Sequence, residues 1–149
     1  MNPKRRHSVA LVLVGAIFTA CLGPDSAPEI RVEITTDLFE ITPDTSAIVE
    51  LRVSNDGWEP VLVGVGCPFY FVHDAENAPV SSPTCIPEAF LVDTVAPGGQ
   101  ETLLRFDWNG HRQGLAPGPY RIETTILFRS SLGGAALSKT AWVAVRLIP

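Results

Sequence analysis

The stretch Leu115-Ala-Pro-Gly-Pro-Tyr-Arg-Ile-Glu-Thr-Thr-Ile-Leu-Phe128 joins a turn signal to a long alternating run, and its reading decides the fold. Pro117 and Gly118 punctuate the chain. Tyr120, Ile122, Thr124, Ile126 and Phe128 then fall on one side, with Arg121, Glu123, Thr125 and Arg129 on the other. A period of two buries one face only, so this run predicts a central strand of a β-sandwich.

The pattern recurs outward in both directions. Toward the N-terminus, Thr102, Leu104, Phe106 and Trp108 alternate with Glu101, Leu103, Arg105 and Asp107, after a strand over Phe90–Val95 that Ala96-Pro97-Gly98-Gly99 ends. Ala47, Val49, Leu51 and Val53 are set inward, and Asn55-Asp56-Gly57 then predicts a hairpin into a returning strand over Pro60–Val65. Ile30, Val32 and Ile34 mark a first strand beginning near Glu29, while Phe69–His73 is extended and Asp74–Ala78 reads as a polar turn. Three prolines between Pro79 and Pro87 make a ladder strand there improbable, and Asn109–Gly114 reads as an exposed polar loop. Toward the C-terminus, a Ser130–Gly134 tip leads into a last strand over Leu137–Leu147, with Ala141, Val143, Val145 and Leu147 inward. About seven to eight short strands joined by Gly, Pro and Asn turns, with no helical repeat, describe an all-β, immunoglobulin-like antiparallel β-sandwich over residues 29–149.

The first twenty residues are of another kind. A cationic start, Lys4, Arg5, Arg6 and His7, precedes the apolar run Val9–Ala20, which suits a secretory signal better than a spanning helix of roughly 20 apolar residues. Phe18-Thr19-Ala20-Cys21 follows, and it resembles the lipobox of bacterial lipoproteins, with Phe18 where an aliphatic residue is usual. The resemblance implies cleavage before Cys21, a diacylglycerol on its sulfur, and a membrane as partner through that lipid. An ordinary cleavage site leaving a spare thiol is the competing reading. Leu22 after Cys21 resembles the pattern of outer-membrane sorting, should the envelope have two membranes. Leu22–Pro28, with two prolines and a glycine, reads as a flexible tether, so the expected parts are a signal over 1–20, a tether over 21–28 and the sandwich.

Residues 21–149 hold 8 basic and 16 acidic side chains, a net charge of −8 with the cations scattered singly, which argues against nucleic acid. Of the three cysteines, Cys67 and Cys85 remain as an even pair once Cys21 is lipidated, and they predict a disulfide stapling the proline-rich loop. A metal site using both with His73 is the weaker alternative, because exported thiols oxidise and the spacing is no Cys-x-x-Cys. No cofactor or metal is expected.

Val53-Ser54-Asn55, Pro60-Val61, Val95-Ala96-Pro97-Gly98-Gly99, Phe106-Asp107-Trp108-Asn109 and Leu115-Ala116-Pro117-Gly118-Pro119-Tyr120 stand in an order similar to the intracellular proteinase inhibitor family of bacterial β-sandwich domains. The resemblance spans about Val49 to Phe128, rests mainly on turn and core positions, and implies the fold together with a binding role. Phe69-Tyr70-Phe71-Val72 departs from the family, which often places an Asp there.

For catalysis, His73 and His111 are the neutral-pH proton carriers, and neither stands in a pattern that supplies a nucleophile and an orienting acid. Both are expected at the surface, His73 and Asp74 on opposite faces of a strand. Met1 departs with the signal, removing a copper-site ligand, and no acid pair of a glycosidase can be chosen. The expectation is therefore a lipid-anchored envelope protein, not an enzyme, with a binding or structural role whose ligand the sequence does not name, a protease or an envelope component being the candidate protein partner; proteinase inhibitor and envelope hydrolase are the alternatives. Its surface is expected at the loop, Tyr70, Ser81, Ser82, Pro83, Thr84 and Ile86, with Trp58 and Trp142, while Trp108 shares the inward parity of the core.

Overall fold

The computed structural model describes residues 28–84 and 90–149. Its strands are β1 (Ile30–Thr36), β2 (Glu40–Ile41), β3 (Ala47–Asn55), β4 (Val61–Gly66), β5 (Phe71–His73), β6 (Pro79–Ser81), β7 (Phe90–Val95), β8 (Gln100–Trp108), β9 (Gly118–Ser130) and β10 (Leu137–Leu147). They form two sheets, an immunoglobulin-like β-sandwich. The smaller has the order β1-β3-β8; the larger runs β2-β10-β9-β4-β7, with β5 also on β9 and β6 on β5. All pairings are antiparallel except β2 with β10.

The alternating run after Pro117 is β9, the strand that organises the larger sheet. One of its edges carries β10 from Phe128 to Gly118. The other carries β4 from Ser130 to Ile126 and then β5 from Glu123 to Arg121. Between these two partners the ladder lapses, since Pro68 has no N–H to donate, and the Thr124 hydroxyl fills the gap by donating to the Phe69 carbonyl at 2.7 Å. The Cys67–Pro68 bond in this excursion is cis.

Inward residues of both sheets meet in one core. Val49, Leu51 and Val53 of β3 face Val61, Val63 and Val65 of β4, Ile122, Ile126 and Phe128 of β9, and Val145 and Leu147 of β10; all are buried, as is Trp108. Burying each aliphatic side chain contributes roughly 1.5–3 kcal/mol against exposure, which is why the alternation holds over so many strands.

Four expectations need correction. Asn55-Asp56-Gly57 makes no hairpin: β3 already has β1 and β8 on its two edges, so the chain crosses to the other sheet and β4 pairs with β7 and β9. Asn55 goes into the core instead of out at a turn tip, fully buried, and its Nδ2 donates to Glu59 O (2.6 Å) and Val95 O (3.0 Å) while Oδ1 accepts from the Gly57 N–H (3.0 Å). Pro79–Ser81 does form a short strand, tolerated because β6 is an edge and its register with β5 shifts beside Pro79. Thr102 is exposed, not inward, since the register of β8 on β3 shifts between Leu51 and Arg52, leaving Leu103 as an extra residue. Lastly, Asn109–Gly114 is a capped turn of 3-10 helix over Gly110–Gln113. Asn109 is buried, its Oδ1 accepting from the His111 and Arg112 N–H groups and its Nδ2 donating to Pro43 O at 3.1 Å.

Candidate functional site

The outer face of the larger sheet carries a row that runs from β10 through β9 to β5: Trp142, Glu123 and Phe71 stand in register. Alternation turns all three away from the core, and Trp142 is 58% and Phe71 40% exposed. The Arg121 guanidinium lies 5.8 Å from the centre of the Trp142 ring, within cation–π range. It also meets Glu123 Oε2 at 2.9 Å and donates to Asn77 Oδ1. His73, opposite Arg121, has Nδ1 at 3.4 Å from Asn77 O and Nε2 at 3.8 Å from Glu123 Oε1, beyond hydrogen-bond reach. His73 Nε2 and Arg121 Nε are buried without a hydrogen-bond partner.

Both histidines differ from expectation. The His73 side chain is only 14% exposed, because Arg121 and Glu123 lie beside it on the same face. Among the described residues it has an acid nearby, but its one hydrogen-bond contact is the backbone carbonyl of Asn77, not a hydroxyl or thiol that could serve as nucleophile. His111 is half-buried, with Nε2 at 3.1 Å from Ile148 O and 3.3 Å from Ile41 O, so it ties β2 to the end of β10. Among the described residues no three His, Cys, Asp or Glu side chains are grouped to hold a metal ion.

The proline-rich loop is anchored at the same end of the sandwich as His111. Tyr70 stacks on Phe106 of β8, ring centres 4.3 Å apart and planes 3° from parallel, bridging the excursion after β4 to the smaller sheet. Burial pushes the Tyr70 phenol above its ordinary value of 10.0, and a hydrogen bond with the Gln113 side chain pulls the other way. Gln113 Oε1 in turn accepts from the Ser81 hydroxyl at 2.8 Å. Ser82 and Thr84 are exposed and Pro83 half-buried, whereas Cys85 and Ile86 lie outside the described residues, as does Cys21. Cys67 is half-buried and is not a free group.

Of the expected surface, then, Tyr70 and Ser81 come together through Gln113, and Trp142 lies across the same sheet from Ser81 along β10-β9-β5-β6. Trp58 does not join them. It stands 70% exposed where β3 leaves the smaller sheet, beside a pocket of about 230 Å³ lined by Pro28, Glu29, Asn55 and Val61. Phe71, Arg121, Glu123 and Gln113 escaped the sequence reading. The parity of Phe71 against the inward Val72 would have marked it as outward, but nothing in the sequence brings Gln113 to Tyr70.

No family model matches the chain, and no curated protein matches it. Solved structures share the fold at low identity. The seventh PapD-like domain of human CEP192 is 12% identical over 97% of this chain and 98% of that one, with a TM-score of 0.50. A CARDB domain from Pyrococcus furiosus, crystallised with di-metal ions, is 16% identical over 82% of this chain and 90% of its own, at TM-score 0.47. AggA, the major subunit of an Escherichia coli aggregative adherence fimbria, is 14% identical over 82% and 96%, at 0.46.

Proposed function

We propose that the chain is an exported, lipid-anchored β-sandwich of the cell envelope that binds a protein partner and does not catalyse. In this reading residues 1–20 are removed, Cys21 is acylated, residues 21–28 tether the sandwich, and Cys67 is bonded to Cys85. The observation that carries the binding role is the exposed row Trp142–Glu123–Phe71; Val80, 40% exposed, lies on the neighbouring β6 edge, where Ser81 pairs with the inward Val72. Exposed aromatics beside charged groups that already hold one another in place favour protein contact, because little side-chain entropy remains to be lost on docking.

A proteinase inhibitor is the second reading, supported by the family resemblance and by the tie from Ser81 through Gln113 to Tyr70, which stiffens the loop. One set of variants tests both. The mature protein is used to capture partners from envelope extract and assayed against subtilisin-like and trypsin-like proteases, as wild type, as Trp142→Ala, and with Ser81–Ile86 replaced by a Gly/Ser linker that keeps Cys85. Loss of a captured partner in both variants supports the shared surface. Protease inhibition lost in the linker variant supports the inhibitor. A partner held with unchanged affinity by both variants shows that the site lies elsewhere. Mass analysis of the protein from membranes checks acylation of Cys21, and an unmodified Cys21 sinks the anchor.

A further inference from the structure

We infer that one end of the sandwich, built from the turns Asp56–Pro60, Ala96–Gly99 and Ser131–Ala136, rests on a lipid surface with Trp58 and Leu132 in its interfacial layer. The inference rests on the acylation of Cys21 proposed above. The three turns form one surface: the Ser131 N–H donates to Pro60 O at 3.0 Å, and the Gly98 N–H to Asn55 O at 2.9 Å. The chain enters the sandwich at this end, where the Asp56 N–H donates to Glu29 O at 2.8 Å.

Composition sets this end apart. Turns are usually polar, yet two of these read Ala-Pro-Gly-Gly and Ser-Leu-Gly-Gly-Ala-Ala, without one charged side chain. Leu132 at 80% and Trp58 at 70% are the most exposed of the large hydrophobic residues described. The opposite end, by contrast, carries Asp44, His111 and Arg112. Of the acids near the proposed contact, Asp56 pairs with Arg31 at 2.9 Å, while Glu59, which accepts from the Ser130 hydroxyl at 2.8 Å, and the exposed Glu29 place their negative charges beside Trp58. Trp concentrates at membrane–water interfaces, where its ring is apolar and its N–H stays wet.

The reach of the tether points to the same face. From Cys21 to Pro28 the chain spans at most roughly 25 Å. The 13 residues of β9 put the two ends of the sandwich about 40 Å apart. A lipid on Cys21 therefore keeps the Trp58 end within about 25 Å of the bilayer, whereas the far end can lie about 40 Å farther away.

Quenching by brominated lipid tests this on the mature, acylated protein in phosphatidylethanolamine/phosphatidylglycerol vesicles doped with a phosphatidylcholine brominated high on its acyl chains. Trp108, 1% exposed, is the silent baseline. In Trp142→Phe the emission of Trp58 is expected to fall on brominated relative to plain vesicles; in Trp58→Phe no loss is expected, and adding Leu132→Ser to Trp142→Phe should weaken the quenching. No quenching in Trp142→Phe, with Cys21 shown by mass to be acylated, overturns the inference while leaving the anchor intact. Quenching in Trp58→Phe instead places the outer face of the larger sheet on the membrane and overturns it too. An unacylated Cys21 removes the anchor, and this inference with it.

Discussion

Replacing Asn55 by Ala is expected to be among the most costly single changes in this protein. The Asn55 side chain is fully buried and serves three backbone groups: it donates to the carbonyls of Glu59 and Val95 and accepts from the N–H of Gly57. Each such bond contributes about 1 kcal/mol net, and a buried group left unpaired costs about 1–3 kcal/mol, so Asn55→Ala should lose about 3–5 kcal/mol. That is a large share of a typical stability of roughly 5–15 kcal/mol. With a urea slope of roughly 1–3 kcal/mol per molar, the midpoint should fall by about 2 M. Urea unfolding followed through Trp108, buried in the native core, gives the measurement. Asn55→Asp sharpens the test, because it keeps the acceptor for Gly57 but sets a carboxylate against two carbonyl oxygens. It should be no more stable than Asn55→Ala. A loss below about 1 kcal/mol for Asn55→Ala, or an Asn55→Asp as stable as wild type, would refute the crossing described here.

Burial raises the Tyr70 phenol above 10.0, so the folded chain keeps that proton at a pH where the unfolded chain has lost it. The stability it brings is complete below pH 10.0 and fades as pH climbs through the higher folded value, so wild type should lose more stability than Tyr70→Phe above pH 10.0; parallel stability curves would contradict this. Gly110→Ala would set a Cβ 2.7 Å from Leu147 Cδ1 and 2.9 Å from Trp108 Cη2. Overpacking of this kind should lower stability by roughly 1–3 kcal/mol in the same urea assay, and an unchanged midpoint counts against the packing described. Thiol titration of unfolded, unreduced Cys21→Ser protein should find neither Cys67 nor Cys85 reactive, whereas two reactive thiols rule out their pairing.

The alternation of β3, β9 and β10 was legible because each strand has one buried face, and a period of two survives any ambiguity about which strand lies next to which. Pairing is another matter. Asn-Asp-Gly is compatible with a tight reversal, and only the occupation of both edges of β3 by β1 and β8 forces the chain across to the other sheet. The same holds at Thr102, whose parity is right locally and is undone by a register shift that depends on the partner strand. Local chemistry specifies the strand; its neighbours decide where the turn goes.

The sites were harder to read for a related reason. A side chain pointing away from the core in sequence terms can be covered or bare, and the difference lies in what the other strands bring beside it. His73 points outward and is still mostly covered, because Arg121 and Glu123 of β9 stand next to it; Trp142, outward on the neighbouring strand, is bare. Trp58 and Trp142, both assigned to one surface from the sequence, lie on different parts of the sandwich, since one leaves β3 at a crossing and the other sits within β10. The apolar turns were visible as composition, Ala-Pro-Gly-Gly and Ser-Leu-Gly-Gly-Ala-Ala, but they are 31 or more residues apart in the chain. Only the hydrogen bonds from Ser131 to Pro60 and from Gly98 to Asn55 make them one surface, at the end where the chain arrives from Cys21. In the proposed reading, this separation of the two exposed aromatics across the fold would leave Trp142 accessible to a partner while Trp58 meets the membrane.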